Sequence, residues 1–333
     1  MKKLYVIVDS LFSNESDWEW QILPLLQGYI DSMDIQNYEV LQVNSLQEVQ
    51  SLFQNNAVSK LDTFICTNGW SPMVAYIRHL AEGIKIKPRI VSFWSNGCFN
   101  NTDSTFRPLN DRNWRKVYER AHHRCSDKSF FCSEYFKEQF RIYVAKRVFT
   151  DRLTVMPFPL DYLLGELAEY RDGYFKTDVI LFPWGKETYN TMQEQIIYDV
   201  IRVFRDKQVI FAQENGAMPR EQILKQIARS KCVFLPYASA NIGKEIYECL
   251  ILGAVPLVPA LPGFVEFLPE EFLYPMEWTD TIFNYCIHAP KLIERISDIV
   301  NDYGKYVNLI SETEQRLTAT RFSSVKFMEE IFQ

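Results

Sequence analysis

Short runs of β-branched and aromatic residues alternate with helical patterns from the first residues onward, and this alternation constrains the fold more than any other feature of the chain. Strand candidates at residues 4–8, 38–43, 62–66, 89–93, 129–132 and 153–156 are separated by helical stretches near 18–30, 46–55, 72–82, 111–124 and 133–148. Strands that are apolar at nearly every position must be covered on both faces, and a strand–helix–strand series lays them parallel with right-handed crossovers. The series pauses in the polar, turn-rich stretch 163–177, then resumes with strand candidates at 179–182, 208–212, 232–235, 255–258 and 271–274. Thr191-x-x-Glu194 reads as a capping box, and Met192, Ile196, Ile197, Val200, Ile201 and Phe204 follow it at helical spacing.

A chain of 333 residues is long for one core. The expected fold is α/β, with two doubly wound Rossmann-like domains facing each other across a cleft. Residues 1–165 form the first domain, 166–320 the second, and 321–333 a helix that returns to the first. In such sheets ligands gather at the carboxyl ends of the strands.

Composition removes several classes. With 47% hydrophobic and 23% charged residues the chain is globular rather than disordered. The longest apolar stretch, 249–265, contains Pro256, Pro259 and Pro262, so it cannot be a membrane helix. Cys66, Cys98, Cys125, Cys132, Cys232, Cys249 and Cys286 form no CxxC pair and no metal-ligand spacing. They read as reduced thiols, and the location expected from them is cytoplasmic. Net charge is −6, but it is unevenly spread: residues 1–77 hold 3 Lys+Arg against 9 Asp+Glu, whereas 78–152 hold 16 against 8. One sub-region of an acidic protein is therefore strongly basic.

The most informative segment is Cys232-Val-Phe-Leu-Pro-Tyr-Ala-Ser-Ala-Asn-Ile-Gly-Lys-Glu-Ile-Tyr-Glu-Cys-Leu-Ile-Leu-Gly-Ala-Val-Pro-Leu-Val-Pro. A buried strand ends at Pro236, a polar loop follows, and a helix begins near Gly243 and ends at Gly253. Glycine ahead of a helix lets backbone amides face a phosphate, and the helix dipole adds to the attraction. Lys244 adds a full charge in the first turn. Glu248, one turn further, is placed to accept hydrogen bonds from ribose hydroxyls.

This segment resembles the donor-binding motif of GT-B fold glycosyltransferases, especially the retaining nucleotide-sugar class. Glu248, Gly253 and the strand at 255–258 carry the match, and Pro262-Gly263-Phe264-Val265-Glu266 resembles that class's glycine-rich turn and sugar-side glutamate. The run Val179-Ile-Leu-Phe-Pro-Trp-Gly-Lys186 resembles the first donor-domain strand, with Gly185 and Lys186 standing where the family has Gly-Arg. The resemblance implies a hexosyl- or pentosyltransferase that takes a nucleotide sugar, expected to be UDP-linked, as co-substrate and requires no other cofactor and no metal. Lys186, Gly185, Gly243 and Lys244 would hold the diphosphate, Glu248 the ribose, and Glu266 would lie near the sugar. Two positions depart from the family pattern: Ala240 stands where a second glutamate is usual, and 187–191 lacks the usual lysine.

The acceptor would lie on the first domain. Asp17 and Asp103 are the candidate bases there, because an inverting transfer needs a carboxylate to take the acceptor's proton. Trp94 could stack on a base or sugar, or sit in the core, and Asn96 follows it at the strand's carboxyl end. On a helix from about 111, Trp114, Val117, Tyr118 and Ala121 form the expected buried stripe, leaving Arg112, Arg115 and Arg120 outward. That basic face is either solvated or tracks phosphates. The acceptor expected first is a 5-hydroxymethylated pyrimidine in duplex DNA, as in the bacteriophage DNA glycosyltransferases of this architecture. The alternatives are a bacterial surface-glycan or lipid-linked acceptor, for which basic, aromatic helices suit an anionic membrane surface, and a non-transferase GT-B protein.

Overall fold

The apolar runs form two parallel sheets. The structure, a computed structural model, describes residues 2–8, 17–32, 37–66, 71–94, 109–146, 148–183, 191–211, 218–236 and 243–332. The chain divides into two compact units, one formed by Met1–Pro159 with Ser324–Gln333 and the other by Leu160–Ser323.

The first unit runs β1 (Lys2–Ile7), α1 (Asp17–Ser32), β2 (Tyr38–Val43), α2 (Leu46–Gln54), β3 (Thr63–Cys66), α3 (Met73–Gly83), β4 (Arg89–Trp94), α4 (Leu109–Cys125), β5 (Lys128–Phe131), α5 (Glu134–Phe140) and β6 (Leu153–Val155). The sheet order is β2-β1-β3-β4-β5-β6 with every pair parallel. β1 is flanked by β2 on one side and β3 on the other, so the direction of winding reverses between β1 and β3. Leu4, Val6 and Ile7 are at most 1% exposed, and Tyr5 stacks on Phe64 with ring centroids 4.7 Å apart. Local signals set several helix starts: Ser45 accepts from Glu48 N at 3.2 Å ahead of α2, and Ser133 from Phe136 N at 3.1 Å ahead of α5.

The second unit contains α6 (Leu163–Glu166), α7 (Ala168–Gly173), β7 (Thr177–Phe182), α8 (Thr191–Val203), β8 (Gln208–Phe211), α9 (Arg220–Arg229), β9 (Ser230–Phe234), α10 (Lys244–Ile251), β10 (Val255–Pro259), α11 (Pro262–Val265), β11 (Leu273–Tyr274), α12 (Ile282–Asn301) and α13 (Val307–Thr320). Its sheet order is β11-β10-β9-β7-β8, again parallel throughout, and its winding reverses between β7 and β9. On α8, Ile196, Ile197 and Val200 are buried, as is Phe204 just beyond it, while Ile201 is 43% exposed.

The last helix, α14 (Ser324–Phe332), belongs to the first unit. Phe327 packs against Phe93, Phe130 and Phe158 at 6.0–6.3 Å between ring centroids. Arg89 caps the helix's carboxyl end by donating to Ile331 O at 2.6 Å, and Lys128 pairs with Glu330. In the second unit, the Leu160 and Asp161 amides both donate to Phe322 O, at 3.0 and 3.1 Å. The two places where the chain passes between units therefore adjoin residues that are hydrogen-bonded to each other.

Two expectations are corrected. Of the stripe expected to be buried on α4, the members whose side chains are described are turned outward. Val117 is 61% exposed, Tyr118 46%, and Ala121 is exposed as well, whereas Glu119, His122 and His123 lie at 0–2%. The reason is the surface beneath, which carries hydroxyls. Ser126 Oγ donates to His122 O at 2.8 Å, so it must accept from Ser92 Oγ at 2.6 Å, and Ser92 Oγ must then accept from His122 Nε2 at 2.6 Å. This chain of donors fixes His122 as the neutral Nε2–H tautomer, and burial pushes its pKa down to about 3. The second correction concerns residues 133–148, expected as one helix. α5 widens after Phe140 into a π-helical turn over Arg141–Ala145 and stops where Lys146 takes φ 47°; Phe149 is also left-handed, at φ 52°.

Candidate functional site

The strongest candidate lies at the carboxyl ends of β7, β9 and β10, where the second unit's winding reverses. β9 is followed by Leu235 and Pro236, both buried, and α10 begins after Gly243. Gly243 has φ 85°, a left-handed conformation that costs an L-residue about 1–2 kcal/mol. A Cβ there would also stand 3.4 Å from Phe267 Cζ. At the other end of α10, Gly253 has φ 73°, which turns the chain directly into β10.

Phe267 ties the next loop to this place. It follows Glu266, the exposed residue that ends α11. The Arg321 guanidinium lies 4.0 Å over the Phe267 ring, and Arg316 Nη2 donates to Phe267 O at 2.7 Å. Glu266 is thus carried next to a ring that packs on Gly243.

Glu248 lies on the buried side of α10, only 4% exposed. Its Oε1 accepts from Arg220 Nη2 at 2.7 Å, and the same nitrogen reaches Glu166 Oε1 at 3.3 Å. Burial raises the Glu248 pKa and the Arg220 guanidinium works against that rise. For Arg220, burial acts to lower the pKa, but Glu248 and Glu166 more than offset it and hold the cation firmly charged. The arrangement is a nearly buried carboxylate partnered by a cation whose side chain is 41% exposed, so one face of the pair is open to a polar ligand. Sequence reading had not singled out Arg220, Phe267 or Phe322. Arg220 opens α9, which a strand separates from α10, and no local pattern joins it to Glu248.

The structure brings together Gly243, Lys244, Glu248 and, through Phe267, Glu266. Gly185 and Lys186 follow β7 in sequence and lie outside the described residues, as do Asn96 and Asp103 in the first unit. Asp17 is the first residue of α1, and Arg112 and Arg115 lie in the first two turns of α4; the side chains of all three are outside the description. Of the two readings open for Trp94, stacking platform or core, the structure gives the core: it is 1% exposed, packed on Phe140 at 4.6 Å and His122 at 4.9 Å. Arg120, expected to face outward, turns its Nε onto Val144 O at 3.2 Å and Nη2 toward Tyr143 O at 3.4 Å. These carbonyls end the π-helical turn and draw the cation in. Among the described residues no group of three or more His, Cys, Asp or Glu could hold a metal, and no helix is long and apolar enough to cross a membrane.

No protein-family model and no curated protein matches the sequence. Solved structures do match along the whole chain. A UDP-N-acetylglucosamine 2-epimerase from Listeria monocytogenes is 12% identical, with TM-score 0.57, covering 100% of this chain and 98% of its own. Sucrose-phosphate synthase from Thermosynechococcus elongatus is 10% identical, with TM-score 0.59 and coverage of 99% and 98%. The N-terminal domain of trehalose-6-phosphate phosphatase from Candida albicans is 9% identical, with TM-score 0.60 and coverage of 99% and 96%. At such identities the likeness shows the fold, and the fold is GT-B.

Proposed function

We propose that this chain is a nucleotide-sugar glycosyltransferase that moves a hexosyl or pentosyl group from a UDP-linked donor to an acceptor hydroxyl. The observation that carries the reading is Glu248, nearly buried one turn into a helix that starts from a left-handed glycine, at the edge where the second sheet's winding reverses. A nucleoside diphosphate needs that pairing: a carboxylate acceptor for ribose hydroxyls, and amides with a positive dipole for phosphate one turn away. Glu248 takes the ribose, and Arg220 opposes the rise in pKa that burial imposes on it. Gly243, Lys244, Gly185 and Lys186 take the diphosphate, and Glu266 stands near the sugar. Negative charge builds on the departing diphosphate in the transition state, so cations placed there accelerate the transfer itself. The structural neighbour named for a UDP-sugar supports the choice of nucleotide.

The acceptor belongs to the first unit, whose winding reverses between β1 and β3, with Asp17 at the start of the helix after β1 and Asp103, which follows β4 in sequence, as candidate bases. A lipid-linked or surface-glycan acceptor fits the described surface better than a hydroxymethylated pyrimidine in duplex DNA. α4 turns Val117 and Tyr118 outward, which interrupts a phosphate-tracking stripe with apolar side chains. The second reading, a GT-B enzyme that epimerises a nucleotide sugar without transfer, is favoured by Ala240, where the donor motif of the retaining class has a glutamate.

Calorimetry with UDP and UDP-sugars tests the donor site. Micromolar binding that Glu248→Ala weakens at least tenfold supports it, and no binding of any nucleotide sugar by the folded protein overturns it. Product analysis with a lipid-phosphate acceptor then separates the two readings. Release of UDP with a glycosylated acceptor identifies the transferase. A changed sugar on intact nucleotide identifies the epimerase.

A further inference from the structure

A second place in the molecule has the makings of a binding surface, on the outer side of the first unit. α4 and the π-helical turn enclose a cavity of about 80 Å3 lined by Arg120, His123, Arg124, Val144, Lys146 and Val148, among others. The charge around it is unbalanced. On the neighbouring turn the cations are neutralised, Lys137 by Glu134 and Arg141 by Glu138. Lys116, Arg124 and Lys146 pair with no carboxylate among the described residues, and Lys116 instead lies over the Tyr143 ring at 5.4 Å. Arg120 uses only part of its five N–H donors on carbonyls.

The rim is apolar. Val117 is 61% exposed, Ile142 47%, Phe149 41%, Val148 38% and Tyr143 37%. Val117 lies on the same side of α4 as Arg120 and Arg124, at spacings of three and seven residues. Phe149 is held outward at φ 52°, a conformation that bulky residues avoid, with the Arg152 guanidinium 3.9 Å from its ring. Strain that keeps an aromatic ring at the surface, beside a cavity whose Arg124 and Lys146 pair with no carboxylate among the described residues, suits an occupant that is both anionic and oily.

We propose that this face docks on an anionic lipid bilayer, with a lipid phosphate in the cavity held by Arg124, Lys146 and Arg120, and with Val117, Ile142, Val148 and Phe149 entering the headgroup and acyl boundary. Duplex DNA would satisfy the cations but would leave the aliphatic rim in water; a bilayer satisfies both. The proposal deepens the acceptor side of the function given above, because it brings the first unit to the surface on which a lipid-linked acceptor resides, and it does not depend on the donor site.

The test is flotation of the full chain with vesicles of phosphatidylcholine alone, or mixed with an equal part of phosphatidylglycerol, across a salt series, with UDP binding measured on the same samples. The protein should float with the mixed vesicles and not with pure phosphatidylcholine. Arg124→Glu with Lys146→Glu should weaken binding at least about tenfold, since each near-surface cation contributes roughly fivefold. Ile142→Asp with Phe149→Asp should weaken it further at high salt, where the charge attraction is screened. Aspartate tolerates the left-handed region better than phenylalanine, so the second variant should fold, and circular dichroism and melting of both variants verify this. No flotation on mixed vesicles, or flotation unchanged by both double variants, overturns the proposal. So does tighter binding to duplex DNA that the charge reversals abolish. Loss of UDP binding with flotation intact would instead count against the donor site alone.

Discussion

Arg220 Nη2 and Glu248 Oε1 meet at 2.7 Å, with the carboxylate 4% exposed and the arginine side chain 41% exposed. The asymmetry assigns different tasks to the two residues. The carboxylate is held in place, while the guanidinium can exchange one of its contacts for water or a ligand.

Glu248→Ala should weaken nucleotide-sugar binding by about 1.5–3 kcal/mol, the worth of a hydrogen bond to a charged group. Arg220→Ala should act differently. It leaves a buried carboxylate without its cation, so melting should show a loss of about 1–3 kcal/mol, less than for a fully buried pair because water can partly replace an exposed guanidinium. Glu248→Gln should lose donor affinity while removing most of the penalty of a second Arg220→Ala change. Additive melting losses in that double mutant would show that the two side chains are not coupled.

At the proposed diphosphate site, Lys244→Ala and Lys186→Ala should each lower kcat more than they raise KM, because the charge they stabilise appears on departure of the leaving group. Gly243→Ala should cost about 1–2 kcal/mol of stability through its backbone conformation alone. Steady-state rates and melting curves read the two effects separately. Wild-type rates in both lysine variants would move the diphosphate elsewhere.

His122 makes stability depend on pH. The unfolded chain takes up a proton near 6.5, whereas burial delays this to about 3 in the folded protein. Stability present above the unfolded value is therefore lost as pH falls from about 6.5 toward 3, at up to ~1.4 kcal/mol per pH unit. His122→Gln keeps a donor for Ser92 and cannot titrate. It should be less stable at neutral pH and show a shallower decline between pH 6 and 4 in urea melts. Parallel declines would exclude His122 as a source of the acid sensitivity.

Phe327→Ala should cost about 3–5 kcal/mol, since α14 inserts that ring among Phe93, Phe130 and Phe158. Val117→Asp should change stability by no more than about 0.5 kcal/mol, because the residue faces solvent. A severe loss from Val117→Asp would mean that α4 buries the stripe its apolar residues mark.

The parallel strands were readable because each is a short, nearly unbroken apolar run bounded by turns, a pattern that survives without knowledge of its neighbours. The segment from Cys232 through the β10 strand was readable for a related reason: its glycines, lysine and glutamate lie within a few turns of one another. Orientation on α4 was not. Counting apolar side chains assumes an apolar surface beneath, and here Ser92, Ser126 and Ser129 reward histidines instead. Arg220 escaped notice because it stands 28 residues from Glu248 in sequence. The contact of Phe267 with Gly243 and Arg321 likewise depends on tertiary closure alone.

The return of α14 to the first unit also bears on how the protein is made. By the time residue 159 has left the ribosome, all six strands of the first sheet have been synthesised, but Phe93, Phe130 and Phe158 still lack Phe327. Roughly 10–30 s of synthesis, at ~5–20 residues per second, separate them from it. The last residue of the second unit, Ser323, precedes Phe327 by only four residues, so the earlier-made unit waits with aromatic surface uncovered until the second is all but made. For this chain the half that is made first cannot be finished until its last helix arrives, and a nascent-chain chaperone would find exposed aromatic surface on that half.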